Sequence, residues 1–264
     1  MSATELDHAP LLAVSHLGPG IRAVMSTREG GVSPAPFASL NLGYATDDDP
    51  ANVQENERRL AAAFAVAPES IRWVRQVHGD VIRFAEALPP TVGAGAVIEG
   101  DAVVSETPGL AAAIKVADCA PVLIAAEDGR AVAAVHAGWR GTAAGIAGKT
   151  IAVLRGRHPD ARWRAWIGPC IGPAAFEVGP EVVDALLAAG GLPEDFSTPY
   201  EREGRPRRRA DLKAILVRQL EHAGLDRAAI AVDPACTFSD RDRFFSHRRD
   251  ARTGRMAVLV MIAK

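Results

Sequence analysis

The sequence predicts a single α+β domain in which mixed and mainly antiparallel sheets are layered between helices. Three observations carry that expectation. Short runs of branched apolar residues recur along the chain, while only four segments show a helical period. Tight-turn dipeptides separate several consecutive runs, which joins antiparallel neighbours and argues against a doubly wound parallel sheet. No Pro/Gly/Ser linker, low-complexity tract or internal repeat divides the 264 residues, and 48% hydrophobic with 5% aromatic content suits one large core of small aliphatic side chains.

The elements follow in order. Residues 1–18 form a peripheral or poorly ordered amino-terminal segment, and the first strand spans Ile21–Ser26. A helix covers Ala51–Val66, capped by Asp49 with Pro50 in its first turn. Strands Ile71–Gln76 and Val81–Ala85 flank Gly79 and Asp80, a hairpin signal. Strands Asp101–Glu106, Leu110–Ala117, Val122–Ala126 and Ala131–His136 come next, with Asp128 and Gly129 turning the last pair. A helix is predicted over Thr142–Arg157, a strand over Arg164–Ile167, and helices over Pro180–Ala189 and Asp211–Ala223. In the last of these, Leu212, Ile215, Leu216, Gln219 and Leu220 form a helical stripe. Strands Ile230–Asp233 and Met256–Ile262 complete the set.

Charge excludes two classes of partner. The balance of 30 Lys and Arg against 32 Asp and Glu gives no electrostatic case for nucleic acid or a membrane surface. Arg202–Arg209 holds five Arg without interleaved aromatic residues, so it reads as a solvated loop and not as a nucleic-acid arm. The start, MSATELDHAP, lacks the features of a secretory signal, and Lys115 and Asp118 interrupt the most apolar run. Three widely spaced cysteines fit a reducing compartment and a cytoplasmic protein. Cys170 and Cys236 sit among small apolar residues and prolines and read as packing positions.

Three residues stand where an apolar strand pattern breaks into a loop: His78 in RQVHGD, Cys119 in VADCAPVL and His136 in AVHAGWRG. Two imidazoles and one thiolate are the donor set of a catalytic zinc ion, with the fourth position left for water. Their separations of 41 and 17 residues match no short zinc-finger spacing, so on residue types alone a hydrogen-bonded histidine and a buried cysteine remain open as alternatives. Other constellations fail. AAGIAGKT has Ala143 where a phosphate loop needs its first glycine, GPCIGP has no second cysteine or HxE partner, and no HxH pair supports a copper cluster.

The strings STREGGVS, SLNLGY, RQVHGD, GDAVVS, ADCAPVL, VHAGWRGTAAG, IGPCIGPAAFEVG and CTFSDRDRFFSHRRDARTGRMAVLV run in order through nearly the whole chain. Together they resemble the YfiH, or laccase-domain, family, historically labelled polyphenol oxidases and also linked to purine nucleoside conversion. His78, Cys119 and His136 match that family's zinc ligands. The resemblance implies sheets layered between helices, a zinc cofactor in preference to copper, and purine nucleosides and phosphate as substrates of a monomer or homodimer. It implies phosphorolysis of adenosine, inosine and methylthioadenosine, and hydrolytic deamination of adenosine.

Such chemistry assigns further roles. A zinc ion with this donor set pulls the pKa of a bound water toward about 7. Asp118, next to the cysteine, is a candidate to orient a histidine or shuttle a proton, or simply a turn residue. Arg140, four residues past His136, is the first candidate to grip phosphate bidentately. Arg28, Ser39 and Asn41 lie in a Gly/Pro/Ser loop long enough to be a binding loop, and Gln76 precedes His78 by two residues; local turn chemistry is the alternative for each. His247, Arg248 and Arg249 rim a pocket or pair with Asp240 or Asp242, the second being the preferred reading. Two other functions use the same residues: a Cys–His amide or ester hydrolase, which the resemblance connects to cell-wall precursor peptides, and a binding module with a closed structural metal that enlists Cys170 or Cys236.

Overall fold

A computed structural model describes residues 11–90 and 98–264. Strands β1 (Leu11–Ala13) and β2 (Ile21–Ser26) precede helix α1 (Pro50–Ala63). Then come β3 (Ile71–Arg72), β4 (Ile82–Phe84), β5 (Ala102–Ser105), β6 (Ala111–Val116), β7 (Ala120–Ala126) and β8 (Val132–Ala137). Helices α2 (Trp139–Ala143) and α3 (Ile146–Arg157) lead to β9 (Trp163–Ile167), β10 (Glu177–Val178) and α4 (Pro180–Ala188). The chain continues through β11 (Tyr200–Arg202), β12 (Arg205–Arg209), α5 (Leu212–His222), β13 (Ile230–Val232), α6 (His247–Asp250) and β14 (Met256–Ile262).

The described strands make two large mixed sheets and one small one. The first has the order β1-β2-β14-β6-β3 and the second β13-β9-β7-β8-β5-β4, with β10-β12-β11 apart. Only β3 on β6, β4 on β5 and β13 on β9 are parallel pairs. The period-2 alternation of the strands explains how the sheets stack. Met25, Ile114 and Val258 of the first sheet face Val103, Leu123 and Val132 of the second. The other face of the first sheet, with Ala113 and Leu259, packs on Leu60 of α1 and on Phe64 just after it. The other face of the second, with Val122, Ile124 and Val135, packs on Ile151 and Leu154 of α3 and Ile215 and Leu220 of α5. The result is helix, sheet, sheet, helix, as the sequence predicts, and both sheets are covered on both faces.

Several elements differ from expectation. Gly79 and Asp80 do not turn a hairpin: β3 lies in the first sheet and β4 in the second, so residues 73–81 cross between sheets. The predicted strand to Gln76 stops at Arg72, beyond which only Arg75 bridges Glu99. The predicted Thr142–Arg157 helix starts earlier and is broken, because Gly145 adopts φ +72 between α2 and α3. The Arg-rich 202–209 stretch is an exposed hairpin that turns at Glu203 and Gly204, both with positive φ. Within the peripheral segment, Leu11–Ala13 pairs with β2 and Leu17 is buried, while residues 1–10 lie outside the described residues. The short β10 and α6 were not expected at all.

Local signals elsewhere agree. The Asp49 carboxylate accepts the Ala51 N–H to cap α1, with Pro50 opening the helix, and Asp211 caps α5 through the Ala214 N–H. Asp128 and Gly129 turn the β7–β8 hairpin. Among the described residues, no helix is long and apolar enough to cross a membrane.

Leu123 lies on a central strand between the two sheets with no exposed surface. Leu123→Ala is expected to lower unfolding stability by about 2–5 kcal/mol, measured by urea denaturation. A loss under about 1 kcal/mol would mean that the inter-sheet layer collapses around the vacancy instead of holding its shape.

Candidate functional site

The two large sheets part at one end, and the chain crosses between them there twice. Residues 117–119 link β6 of the first sheet to β7 of the second and carry Cys119. Residues 73–81 link β3 to β4 and carry His78. His136 lies at the end of β8 opposite Pro121 of β7, which puts it beside the first crossing. One donor atom from each of the three residues lies within 4.8 Å of the others, and among the described residues this is the sole such group of His, Cys, Asp or Glu. The two imidazole rings are edge to face with centroids 4.9 Å apart. His78 and Asp118 both have φ in the left-handed region, +61 and +88, a strained conformation that the surroundings must hold.

What holds it is Asp101, a residue that sequence reasoning missed. Its buried carboxylate accepts backbone N–H groups from His78 at 2.9 Å, Gly79 at 2.8 Å and Val77 at 3.3 Å. It also bonds His136 Nδ1 at 2.8 Å, which turns Nε2 toward the other two donors. A signal existed in GDAVVS, where an acid heads a fully apolar strand, but its partners lie 22 to 35 residues away. Asp118 does not orient a histidine. Its two carboxylate oxygens accept from Thr237 Oγ1 and the Arg248 backbone N–H, each at 2.6 Å, which stabilises the strained turn before Cys119.

Close approach explains the glycines of HAGWRG. A Cβ on Gly138 would lie 2.9 Å from Cys119 Sγ and 3.3 Å from His78 Cδ2. One on Gly141 would press on the Gly79 and His136 carbonyls at 3.1 and 3.3 Å. Electrostatics then pair the thiol with an imidazole. Burial by itself raises the Cys119 pKa, but His136 and His78 outweigh it and bring it down to about 6. Burial likewise opposes protonation of His136, yet Cys119 and Asp101 push it up to about 9. Without metal, these shifts favour a thiolate–imidazolium pair.

These residues form the floor of a cavity of about 690 Å³. Arg140 lies at its rim, its guanidinium 4.3 Å above the Trp139 ring. Gln76 also lines it, but its amide clasps the Lys115 backbone with two bonds of 2.7 Å. Lys115 pairs with Glu57 at 3.1 Å and lies over the rings of Trp73 and Tyr44. Arg28, Ser39 and Asn41 do not line the cavity. Arg28 bonds the carbonyls of Ala38 and Arg241, Ser39 ties Gly31 to Arg28, and Asn41 is fully buried among Thr46, Asp48, Gly43 and Arg255. Bonds within the loop and to residues 241 and 255 engage these polar atoms.

Two cavity residues reverse a sequence reading. His247 and Arg248 line the wall, whereas Asp240 pairs with Arg243, and Arg249 pairs with Asp250. Arg255 was not singled out and also faces the cavity. Cys170 and Cys236 form an isolated parallel bridge with each other outside the donor group, with the Cys170 thiol pushed up to about 12 by burial.

Two outcomes test this arrangement. Asp101→Asn is expected to weaken metal affinity about 10- to 100-fold, read by competition with a chromophoric chelator, because it replaces the acceptor that fixes His136 and the His78 loop. Unchanged affinity would show that the ligands hold themselves. In metal-free protein the Cys119 thiolate forms as pH rises through about 6, so iodoacetamide should alkylate it with an inflection there and not near 9. An inflection near 9, mapped to Cys119 by peptide mass, rules out the ion pair.

Comparison with known proteins places this geometry. Residues 22–263 match the family described as multi-copper polyphenol oxidoreductase laccase. A purine nucleoside phosphorylase of Pseudomonas aeruginosa is 44% identical over 242 residues, covering 92% of this chain and 93% of that protein. The purine nucleoside phosphorylase YfiH of Escherichia coli is 39% identical over 243 residues, with 92% and 94% covered. The crystal structure of the Bacillus licheniformis hypothetical protein YfiH superimposes with a TM-score of 0.88 at 31% identity, covering 98% of each chain. YlmD from Geobacillus stearothermophilus does so with 0.84 at 34% identity, covering 95% of this chain and 94% of that one. With likeness of this extent in sequence and in fold, the chain belongs to the YfiH, laccase-domain family.

Proposed function

We propose that the protein is a zinc-dependent purine nucleoside enzyme. It splits adenosine, inosine and methylthioadenosine with phosphate, giving the free base and the sugar 1-phosphate, and hydrolyses adenosine to inosine and ammonia. The observation that carries this reading is the meeting of a three-donor group and several arginines in one cavity. Its similarity to relatives named purine nucleoside phosphorylase supports the same reading.

The donor chemistry fits zinc. One thiolate and two imidazoles leave an open fourth position, Asp101 presets the tautomer of His136, and Gly138 leaves room beside the sulfur. A zinc ion held by His78, Cys119 and His136 supplies Lewis acidity when bound. This donor set, with no HxH pair in the sequence, favours zinc over copper.

The chain's own groups do the rest. Arg140 has no protein acceptor among the described residues, and its fork matches two phosphate oxygens. Trp139 and Phe176 offer flat apolar faces at the cavity wall, on which a purine stacks. Asp118 acts by holding the Cys119 turn and Arg248 in place. A volume of about 690 Å³ is within the range of small-molecule sites.

A second reading rests on the thiolate–imidazolium pair. With Asp101 behind His136, Cys119 has the arrangement of a nucleophile in an amide or ester hydrolase. The closed structural metal of a binding module needs a fourth protein ligand, and neither Cys170 nor Cys236 belongs to the donor group.

Chromatography of adenosine incubated with zinc-loaded protein, with and without phosphate, tests the proposal. Inosine should form in either buffer, and free adenine only with phosphate. Arg140→Ala should slow phosphorolysis about 10- to 100-fold and deamination far less. Failure to turn over any purine nucleoside by folded, zinc-loaded protein overturns the reading and directs attention to amide and ester substrates.

A further inference from the structure

Arg140 is exposed and fixed only by the Trp139 ring, a placement in which solvent screens its pull on an anion. A second guanidinium sits deeper in the cavity and is held far more firmly. Arg255 is the last residue before β14, and its backbone N–H donates to Asn41 Oδ1 at 2.9 Å. Its Nη1 donates to the carbonyls of Thr253 at 2.9 Å and Gly254 at 3.0 Å. Its stem lies flat on Gly43, where a Cβ would meet Arg255 Cγ at 2.7 Å. These contacts fix the plane of the group and use one of its nitrogens. Nε and Nη2 have no protein acceptor among the described residues, and they form the edge of a guanidinium that matches two oxygens of one anion.

No carboxylate hydrogen-bonds that edge. The cavity is lined by a single acid, Asp118, whose oxygens accept from Thr237 and the Arg248 backbone; it and Cys119 act on Arg255 only through space. A half-buried guanidinium whose open fork has no acceptor is an unfavourable arrangement unless a ligand supplies one.

We propose that Arg255 is the principal phosphate-anchoring residue of this site, with its Nε–Nη2 edge on two phosphate oxygens and Asn41 as the residue that positions it. The proposal rests on the phosphorylase reading for its substrate and deepens it by moving the anchor from the rim to the wall shared with Cys119. It also gives the Gly/Pro/Ser loop a part in binding. Asn41 does not line the cavity; with Gly43 it builds the seat of the group that holds the anion.

The experiment is calorimetric titration of inorganic phosphate into zinc-loaded wild type, Arg255→Gln, Arg255→Lys and Arg140→Ala, with zinc content and melting temperature measured alongside. Side-chain replacement keeps the backbone bond to Asn41, so both Arg255 variants are expected to fold. Phosphate affinity should fall about 10- to 100-fold in Arg255→Gln, by an intermediate amount in Arg255→Lys, which keeps the charge and loses the fork, and by less in Arg140→Ala than in Arg255→Gln; a larger loss in Arg140→Ala returns the principal anchor to the rim. The KM for phosphate should rise in step while the KM for adenosine stays near that of wild type. Unchanged affinity in Arg255→Gln overturns the proposal, as does wild type that binds no phosphate, or loss of zinc together with phosphate. Phosphate binding that depends on Arg255 in an enzyme that never releases adenine keeps the anion site and rejects the phosphorylase reading.

Discussion

The site depends on one buried carboxylate. An ionised Asp101 with no exposed surface is tolerable only because every lone pair it presents meets a donor. Burial pushes its pKa up, and the bonds from His136 and from the backbone at Gly79 and Val77 more than reverse that. The same bonds define the site. Three consecutive N–H groups fold the His78 loop around the carboxylate, and the fourth bond chooses the His136 tautomer. The backbone joins in, since the Asp101 carbonyl accepts the His136 N–H at 2.7 Å and its N–H donates to Val81. Loss of the acid would leave several buried donors without partners, each a destabilising change of about 1–3 kcal/mol.

The fold provides the place for this carboxylate. Sheets packed against each other and covered by helices leave no room for polar chemistry on their faces, so it gathers where strands end. Here the chain leaves the first sheet and enters the second twice at the same end, through residues 73–81 and 117–119. The two crossings put His78 and Cys119 side by side although 41 residues separate them. Gly138 lets the segment after β8 approach both, and the strained φ at His78 and Asp118 is held by the carboxylates of Asp101 and Asp118.

Much of this was legible in the sequence for a definite reason. His78, Cys119 and His136 interrupt strongly apolar runs, and a polar side chain at the edge of a core stands out locally. The β7–β8 turn at Asp128 and Gly129 and the cap at Asp49 are local as well. What failed to show was non-local. Gly79 and Asp80 carry a hairpin signal, but whether the next strand returns to its neighbour depends on β6, forty residues on, which takes β3 as a parallel partner. Asp101 read only as the first residue of a strand because its partners are remote. For Arg28 and Asn41 the long loop left ligand contact and local turn chemistry open, and the partners that hold them, Arg241 and Arg255, lie 213 and 214 residues away.

Metal ligation and nucleophilic catalysis compete for the same atoms here, and Asp101 serves either by fixing His136. Charge separates them. A neutral amide or ester gains nothing from cationic walls beyond a donor or two for its oxyanion. This cavity instead gathers Arg140, Arg248 and Arg255 around a single acid whose oxygens are already bonded. Guanidiniums gathered in one cavity without paired carboxylates repel one another, a cost that the carbonyl bonds of Arg248 and Arg255 offset only in part. An anionic co-substrate, as proposed for this site, would relieve that repulsion on binding. The excess of positive charge beside the three donors is therefore the feature that ties the metal reading to phosphate and leaves the hydrolase reading without a use for most of the cavity wall.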